Sequence, residues 1–208
     1  MIDRNVPAYS LYTSLGFEHY SGTVELEISP NGAQEVPKLL NGYVQEPVKR
    51  SRNWRVRYEL DKRINPPELT RYEPVVLGRY RPPAMVRLIA PVMRLLQQRE
   101  VKPILLRRAA DGQVVAWARY DVPKRPGGVD SIRIRLDSEH PQLVDYLVAY
   151  HLERAITRGP GRRVDVLVPD WMSHVIGAAE RCGFTRRLVY HHMGLILQRA
   201  APARNYRS

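Results

Sequence analysis

The sequence predicts an α/β protein, with a mixed, largely antiparallel sheet flanked by helices. Three observations predict it. Val24, Leu26 and Ile28 alternate with Glu25 and Glu27, and Ile132, Ile134 and Leu136 alternate with Arg133 and Arg135. Both patterns are those of strands with one buried face. Leu143, Val144, Leu147, Val148 and Ile156 recur on one face of a long helical stretch. Residues 164–168 are apolar apart from Asp165, as a central strand buried on both faces would be.

The chain has 208 residues, 44% hydrophobic, 26% charged, with a net charge of +12. That permits one large domain, or one domain and a fragment, with a real core. Of 33 basic residues only Lys38, Lys49, Lys62, Lys102 and Lys124 are lysine. Such a balance fits an arginine-built surface, an anionic cofactor, or nucleic acid, in that order of preference. The single cysteine, Cys182, excludes an intrachain disulfide. The first residues carry Asp3, Arg4 and Asn5 instead of an apolar signal run. The most apolar window, residues 84–96, contains Arg87 and Arg94 and is too short to span a bilayer. A soluble cytoplasmic protein is the default expectation.

Residues 5–15 read as a short capped helix. Asn5 accepts a backbone N–H as N-cap, and Pro7 sits in the first turn, where its missing donor costs nothing. Ala8, Leu11, Tyr12 and Leu15 keep helical spacing, and Gly16 supplies a left-handed stop. A strand follows from Phe17 to Ser29. A helix and a strand cannot close a core, so residues 1–29 are expected to dock on the rest of the chain or on another copy. Pro30, Gly32, Pro37, Gly42 and Pro47 mark residues 30–47 as a linker.

A second unit, residues 48–198, then reads as strand, two helices, three antiparallel strands, helix, strand, helix, strand. Its first helix covers residues 54–63, with Glu59 and Arg63 one turn apart, and Asn65-Pro66-Pro67 stops it. Residues 66–83 are irregular apart from a short helix over 68–72. Pro83 opens a helix to about residue 98, which Pro91 kinks or splits. Strands over 102–108 and 114–122 join at the Asp111-Gly112 turn. A loop over 123–128 leads to a strand over 129–136. Pro141 opens the long helix, and Gly159 ends it. After the strand over 164–168, Asp170 caps a helix that Gly183 stops, and residues 189–197 form the last strand. The tail, 199–208, is polar.

The stretch Asn5-x-x-Ala8-x-x-Leu11-Tyr12-x-x-Leu15-Gly16-Phe17 resembles the closing helix of the GNAT acetyltransferase superfamily. In that family this helix comes near the end of the domain. The element order over residues 48–198 is similar to the whole GNAT fold. Leu15-Gly16-Phe17 and Cys182-Gly183-Phe184, each followed by a strand, also form a faint internal repeat. The chain thus resembles the last piece of one GNAT domain joined to a complete second one, as in tandem GNAT proteins. On this account the first domain is catalytic, the second is a degenerate partner, and the chain begins inside the first, through a misplaced start or a truncation.

The resemblance implies transfer of an acetyl group from acetyl-CoA to a primary amine, with acetyl-CoA held at a splayed gap between two central strands. A base or water deprotonates the amine, backbone N–H groups polarise the thioester carbonyl, and an acid protonates the thiolate. It assigns the acid to Tyr12 and cofactor contacts to Asn5, Ser138 and His140. Two departures stand out. The family's pyrophosphate loop, Arg/Gln-x-x-Gly-x-Gly/Ala, falls on residues 136–142, which hold no glycine, two carboxylates and Pro141 without an N–H. Such a loop repels an anion instead of cradling it. The residue matching Tyr12 in the second copy is Ala179. The rival reading is a non-catalytic GNAT-like module that builds a homodimer or supports a catalytic partner domain, with residues 1–29 docked or exchanged between protomers.

Other residues have plainer readings. His191 and His192 point to opposite faces of a strand and form no joint metal site, and no His/Cys/Asp spacing looks like zinc. Glu139 and His140 cap the turn, and Cys182 is a small core residue. Glu25 and Glu27, conceivable bases for an amine, belong to a solvated strand face. The clusters Arg50-Ser51-Arg52, Arg162-Arg163 and Arg186-Arg187 are solvated surface.

Overall fold

A computed structural model describes residues 5–48, 53–81, 99–123, 128–159 and 161–196. The expected helix over 83–98, the cluster at Arg50 and Arg52, residues 124–127 of the loop and the tail 199–208 lie outside them.

The chain opens with helix α1 (Val6–Ser14) and strand β1 (Glu18–Ile28). Strand β2 (Tyr43–Pro47) and helices α2 (Asn53–Ile64), α3 (Pro67–Tyr72) and α4 (Leu77–Tyr80) follow. Strands β3 (Arg99–Arg108), β4 (Val114–Pro123) and β5 (Asp130–Leu136) lead to a 3-10 turn (Pro141–Leu143) and helix α5 (Val144–Arg158). Strand β6 (Val164–Pro169), helix α6 (Ser173–Arg181) and strand β7 (Thr185–Gly194) complete it. All seven strands form one sheet in the order β2-β3-β4-β5-β6-β1-β7. Only β5 and β6 run parallel; the other pairs are antiparallel. The expected mixed, largely antiparallel α/β fold is what forms.

Alternation decides which side chains face which helices. Ala116, Ala118, Ile132, Ile134, Val166 and Leu26 are buried against Leu147, Leu152 and Val175 of α5 and α6. Trp117 and Leu105, on the other face, are buried with Leu60 of α2. Each fully buried leucine or isoleucine here contributes roughly 1.5–3 kcal/mol.

Three local expectations are corrected. The stretch 30–47 ends in β2, whose Tyr43 to Pro47 pair with Arg108 to Ile104. Pro47 is tolerated there because it closes an edge strand. Asp170 does not cap α6, which starts at Ser173 with Met172 at its N-cap and no side-chain cap bond. A turn from Pro169 to Met172 intervenes and buries Met172 completely, which delays the helix. Arg63 turns to the sheet instead of to Glu59; its Nε donates to Asp137 Oδ2 at 2.9 Å and its Nη2 to Val114 O at 2.5 Å.

The two stretches of the faint repeat share one turn geometry. Gly16 (φ 83°) and Gly183 (φ 90°) both stop a helix in the left-handed region that glycine adopts freely. Phe17 N–H donates to Tyr12 O, and Phe184 N–H to Ala179 O, both at 3.0 Å. Carrying Phe17 onto Phe184 carries Thr23 onto Tyr190, and Thr23 faces Tyr190 in the β1–β7 ladder. On either side, Gly22 pairs with His191 and Val24 with Val189. Equivalent residues of the two units therefore pair reciprocally, as the same patch does on two subunits related by a two-fold axis.

Candidate functional site

The parallel pair β5–β6 is bonded only over Asp130 to Ile132 and Val164 to Val166, although the strands continue to Leu136 and Pro169. Beyond that point their ladder ends, which leaves a gap at their carboxyl ends. A cavity of about 290 Å³ lies at this gap. Trp117 and Arg119 come from β4, Arg133, Ile134 and Arg135 from β5, Leu167 and Pro169 from β6, Thr23 from β1, and Arg57 from α2. Arg57 lies 5.0 Å over the Trp117 ring and 5.8 Å over Tyr80, and Arg135 lies 6.0 Å from the Trp171 ring centre. Burial, with Arg119 and Arg135 alongside, lowers the Arg57 pKa, against the opposite pull of Asp61 and Tyr80.

The turn after β5, where the resemblance puts pyrophosphate, is filled from within. The Asp137 side chain is buried. Its Oδ1 accepts the Glu139 N–H at 3.1 Å, and its Oδ2 accepts Arg63 Nε at 2.9 Å. His140 N–H donates to Asp137 O at 3.0 Å. Asp137 thus occupies the donors of this turn, and an unpaired buried carboxylate is what its removal from Arg63 would leave. Ser138 is exposed beside it. His140 is 7% exposed, with Nδ1 2.8 Å from the Tyr43 hydroxyl, which Gln142 Nε2 reaches at 2.9 Å. Asp137, Glu139 and His140 bring ligand atoms within 4.8 Å of one another, but Arg63 holds Asp137 and opposes a cation there.

Asn5 is the N-cap of α1; its Oδ1 accepts the Ala8 N–H at 3.2 Å. Tyr12 lies on the exposed α1, its ring 5.5 Å from that of Phe17. Neither residue, nor Ser138 or His140, is among the residues that line the cavity. Glu25 is not on a solvated face. It is 6% exposed and held by Arg187, by the Tyr190 hydroxyl at 2.8 Å and by Arg163 at 3.5 Å. Arg162 likewise pairs with buried Asp130 at 3.1 Å, and Arg186 with Glu180 at 2.6 Å. Arg162, Arg163 and Arg187 thus reach buried carboxylates, whereas Arg186 and Glu180 pair on the solvated surface. His192 Nε2 is 3.3 Å from Thr23 Oγ1, and His191 Nδ1 is 3.3 Å from His19 Nε2.

The cavity arginines escaped sequence reasoning. Arg133 and Arg135 read as the polar side of a strand, and nothing local tells water from a cavity on that side. The available signal was the next strand, where Arg119 also follows the polar phase.

No protein-family model matches the sequence, and no curated protein matches it. Solved structures do match. A GCN5-related N-acetyltransferase from Sphaerobacter thermophilus is 13% identical with a TM-score of 0.58, over 92% of this chain and 56% of that one. A tandem GNAT protein from the clavulanic acid biosynthesis pathway is 12% identical with a TM-score of 0.54, over 91% of this chain and 58% of that one. A functionally unknown conserved protein from Staphylococcus epidermidis is 9% identical with a TM-score of 0.51, over 92% and 68%. The chain spans little more than half the length of the first two. No helix among the described residues is long and apolar enough to cross a membrane. By this likeness the chain has the fold of the GCN5-related N-acetyltransferases.

Proposed function

We propose that this chain is a non-catalytic GNAT-like module of a tandem acetyltransferase. Asp137 carries the reading. Its carboxylate uses the Glu139 N–H and the Arg63 guanidinium that an incoming phosphate would need, and Pro141 offers no N–H. An anion would have to displace a buried, paired carboxylate, at a cost of about 3–5 kcal/mol. The buried Ala179 at the position equivalent to Tyr12 supplies no acid.

The second half of the reading assigns α1 and β1 to contact with another GNAT-like unit. The reciprocal β1–β7 pairing supports it, because it is the arrangement that two copies of one such unit adopt. Val6, Leu11 and Leu15 are 67%, 58% and 59% exposed on α1. In the chain by itself, a second copy takes the place of that unit.

One observation favours an acetyl-CoA-dependent N-acetyltransferase instead: the strands do splay, and the gap is hollow. Isothermal titration of acetyl-CoA into the full chain at moderate ionic strength separates the two. The module reading expects no saturable heat from a protein that still melts cooperatively. One-to-one binding, weakened by substitution of Ser138 or His140, would establish the enzyme reading in its place.

A further inference from the structure

The β1–β7 pairing sets two imidazoles side by side whose residues lie far apart in the chain, His19 on β1 and His191 on β7. His191 Nδ1 lies 3.3 Å from His19 Nε2, and the ring centres lie 5.1 Å apart with planes at 66°. That nitrogen separation is longer than a good hydrogen bond. It does suit one tetrahedral zinc, whose bonds of about 2.0–2.1 Å to nitrogen place two ligand nitrogens about 3.3–3.4 Å apart. The ring centres agree. Two imidazoles aimed at one such ion have centres about 5.2 Å apart. Two rings pointing straight at each other across the same nitrogen separation would have them about 5.6 Å apart. The observed 5.1 Å is that of convergence on a shared point.

The surroundings suit a cation. His19 is exposed and His191 half-buried, so an ion reaches the pair from solvent. Partial burial, then the His191 ring, lowers the His19 pKa against the pull of Asp170. Its imidazole is therefore neutral at pH 7, the form that ligates a metal. The Asp170 carboxylate is close enough to act on His19 and adds negative charge there. The Tyr9 ring of α1 meets the His191 ring edge-on, 6.1 Å between centres, and packs against it. Among the described residues no third histidine, cysteine or carboxylate atom joins the pair within 4.8 Å. The other positions of the ion are then left to water.

We propose that His19 Nε2 and His191 Nδ1 together bind a divalent cation of the zinc class. Imidazole nitrogens suit zinc, copper and nickel, whereas magnesium takes oxygen ligands. The site goes beyond the module reading and does not depend on it, since it needs neither acetyl-CoA nor a second unit.

The test is isothermal titration of zinc chloride into the full chain at pH 7, beside magnesium chloride. Zinc is expected to bind saturably and magnesium to give no saturable heat. His19→Gln and His191→Gln should each weaken zinc by about tenfold or more, because losing even a group that only supports a ligand costs roughly 10–100-fold. His174→Gln, on α6, should leave zinc binding unchanged. No zinc binding, equal binding of magnesium, or zinc binding that survives both His19→Gln and His191→Gln overturns the site. Should those variants fail to fold, ring-nitrogen NMR of the unaltered chain decides. Zinc should shift the His19 and His191 signals and leave those of His140 and His174 in place; shifts at other histidines with these two unmoved would overturn the assignment.

Discussion

His151 sits on α5 with both ring nitrogens buried and no hydrogen-bond partner, its ring centre 5.3 Å from that of Tyr150 and 6.3 Å from that of Tyr120. Burial, helped by Arg154, pushes its pKa down from 6.5 to about 3. The unfolded chain takes up this proton as pH falls below 6.5, and the folded chain refuses it until about 3. The contribution to stability is therefore complete above pH 6.5 and is lost as pH falls toward 3, by roughly 1 kcal/mol per pH unit. His151→Leu needs neither proton nor partner, so its urea midpoint should fall less between pH 7 and pH 5 than that of the parent. Parallel pH profiles would mean that the imidazole keeps its proton on folding. At this scale the sequence was readable where the partner is local. Asn5 finds the Ala8 N–H three residues on, and Gly16 and Gly183 need only their own backbone angles. Glu25 was not readable, because its partners Arg163, Arg187 and Tyr190 arrive from β6 and β7.

The elements followed their periodicity, and β1 shows both its reach and its limit. Val24 and Leu26 are buried as the alternation predicts, yet the same alternation is silent on which strands β1 joins. Packing between β6 and β7 brings other backbones close. A Cβ at Gly22 would lie 2.9 Å from Tyr190 O and 2.7 Å from Asp170 Oδ2. Gly22→Ala should therefore destabilise the fold by about 1–3 kcal/mol, read as a lower urea midpoint. It should also speed amide exchange in β1 and β7 while β3 and β4 stay protected. Uniform loss of protection would refute the local origin of the strain. The candidate site divides in the same way. The filled turn at Asp137 was visible as a loop without glycine, whereas the cavity needed β4, β5, β6 and α2 assembled before its arginines shared a wall.

Among the described residues, α1 is largely uncovered. Leu11 and Leu15 stand in solvent beside exposed Tyr9 and Tyr12, and the exposed Leu195 and Ile196 follow β7. A large exposed apolar face of this kind drives association. Sedimentation equilibrium should give a mass that rises toward a dimer with concentration. The double variant Leu11→Lys, Leu15→Lys should stay monomeric with an unchanged melting temperature, because neither side chain is buried in the chain itself. A parent that is monomeric throughout would sink the docking role of α1. The net charge of +12 opposes that association, so it should strengthen as salt is added. The place of β1 also sets an order of events in the cell. Among the described strands, β7 joins the sheet only through β1. A ribosome that delivers residues from the N-terminus releases the strand that links the two last-made strands before either of them exists. Until residues 164–194 have emerged, β1 has neither of its two neighbours in the sheet. Nascent chains stalled before β7 should consequently be the species that chaperones capture.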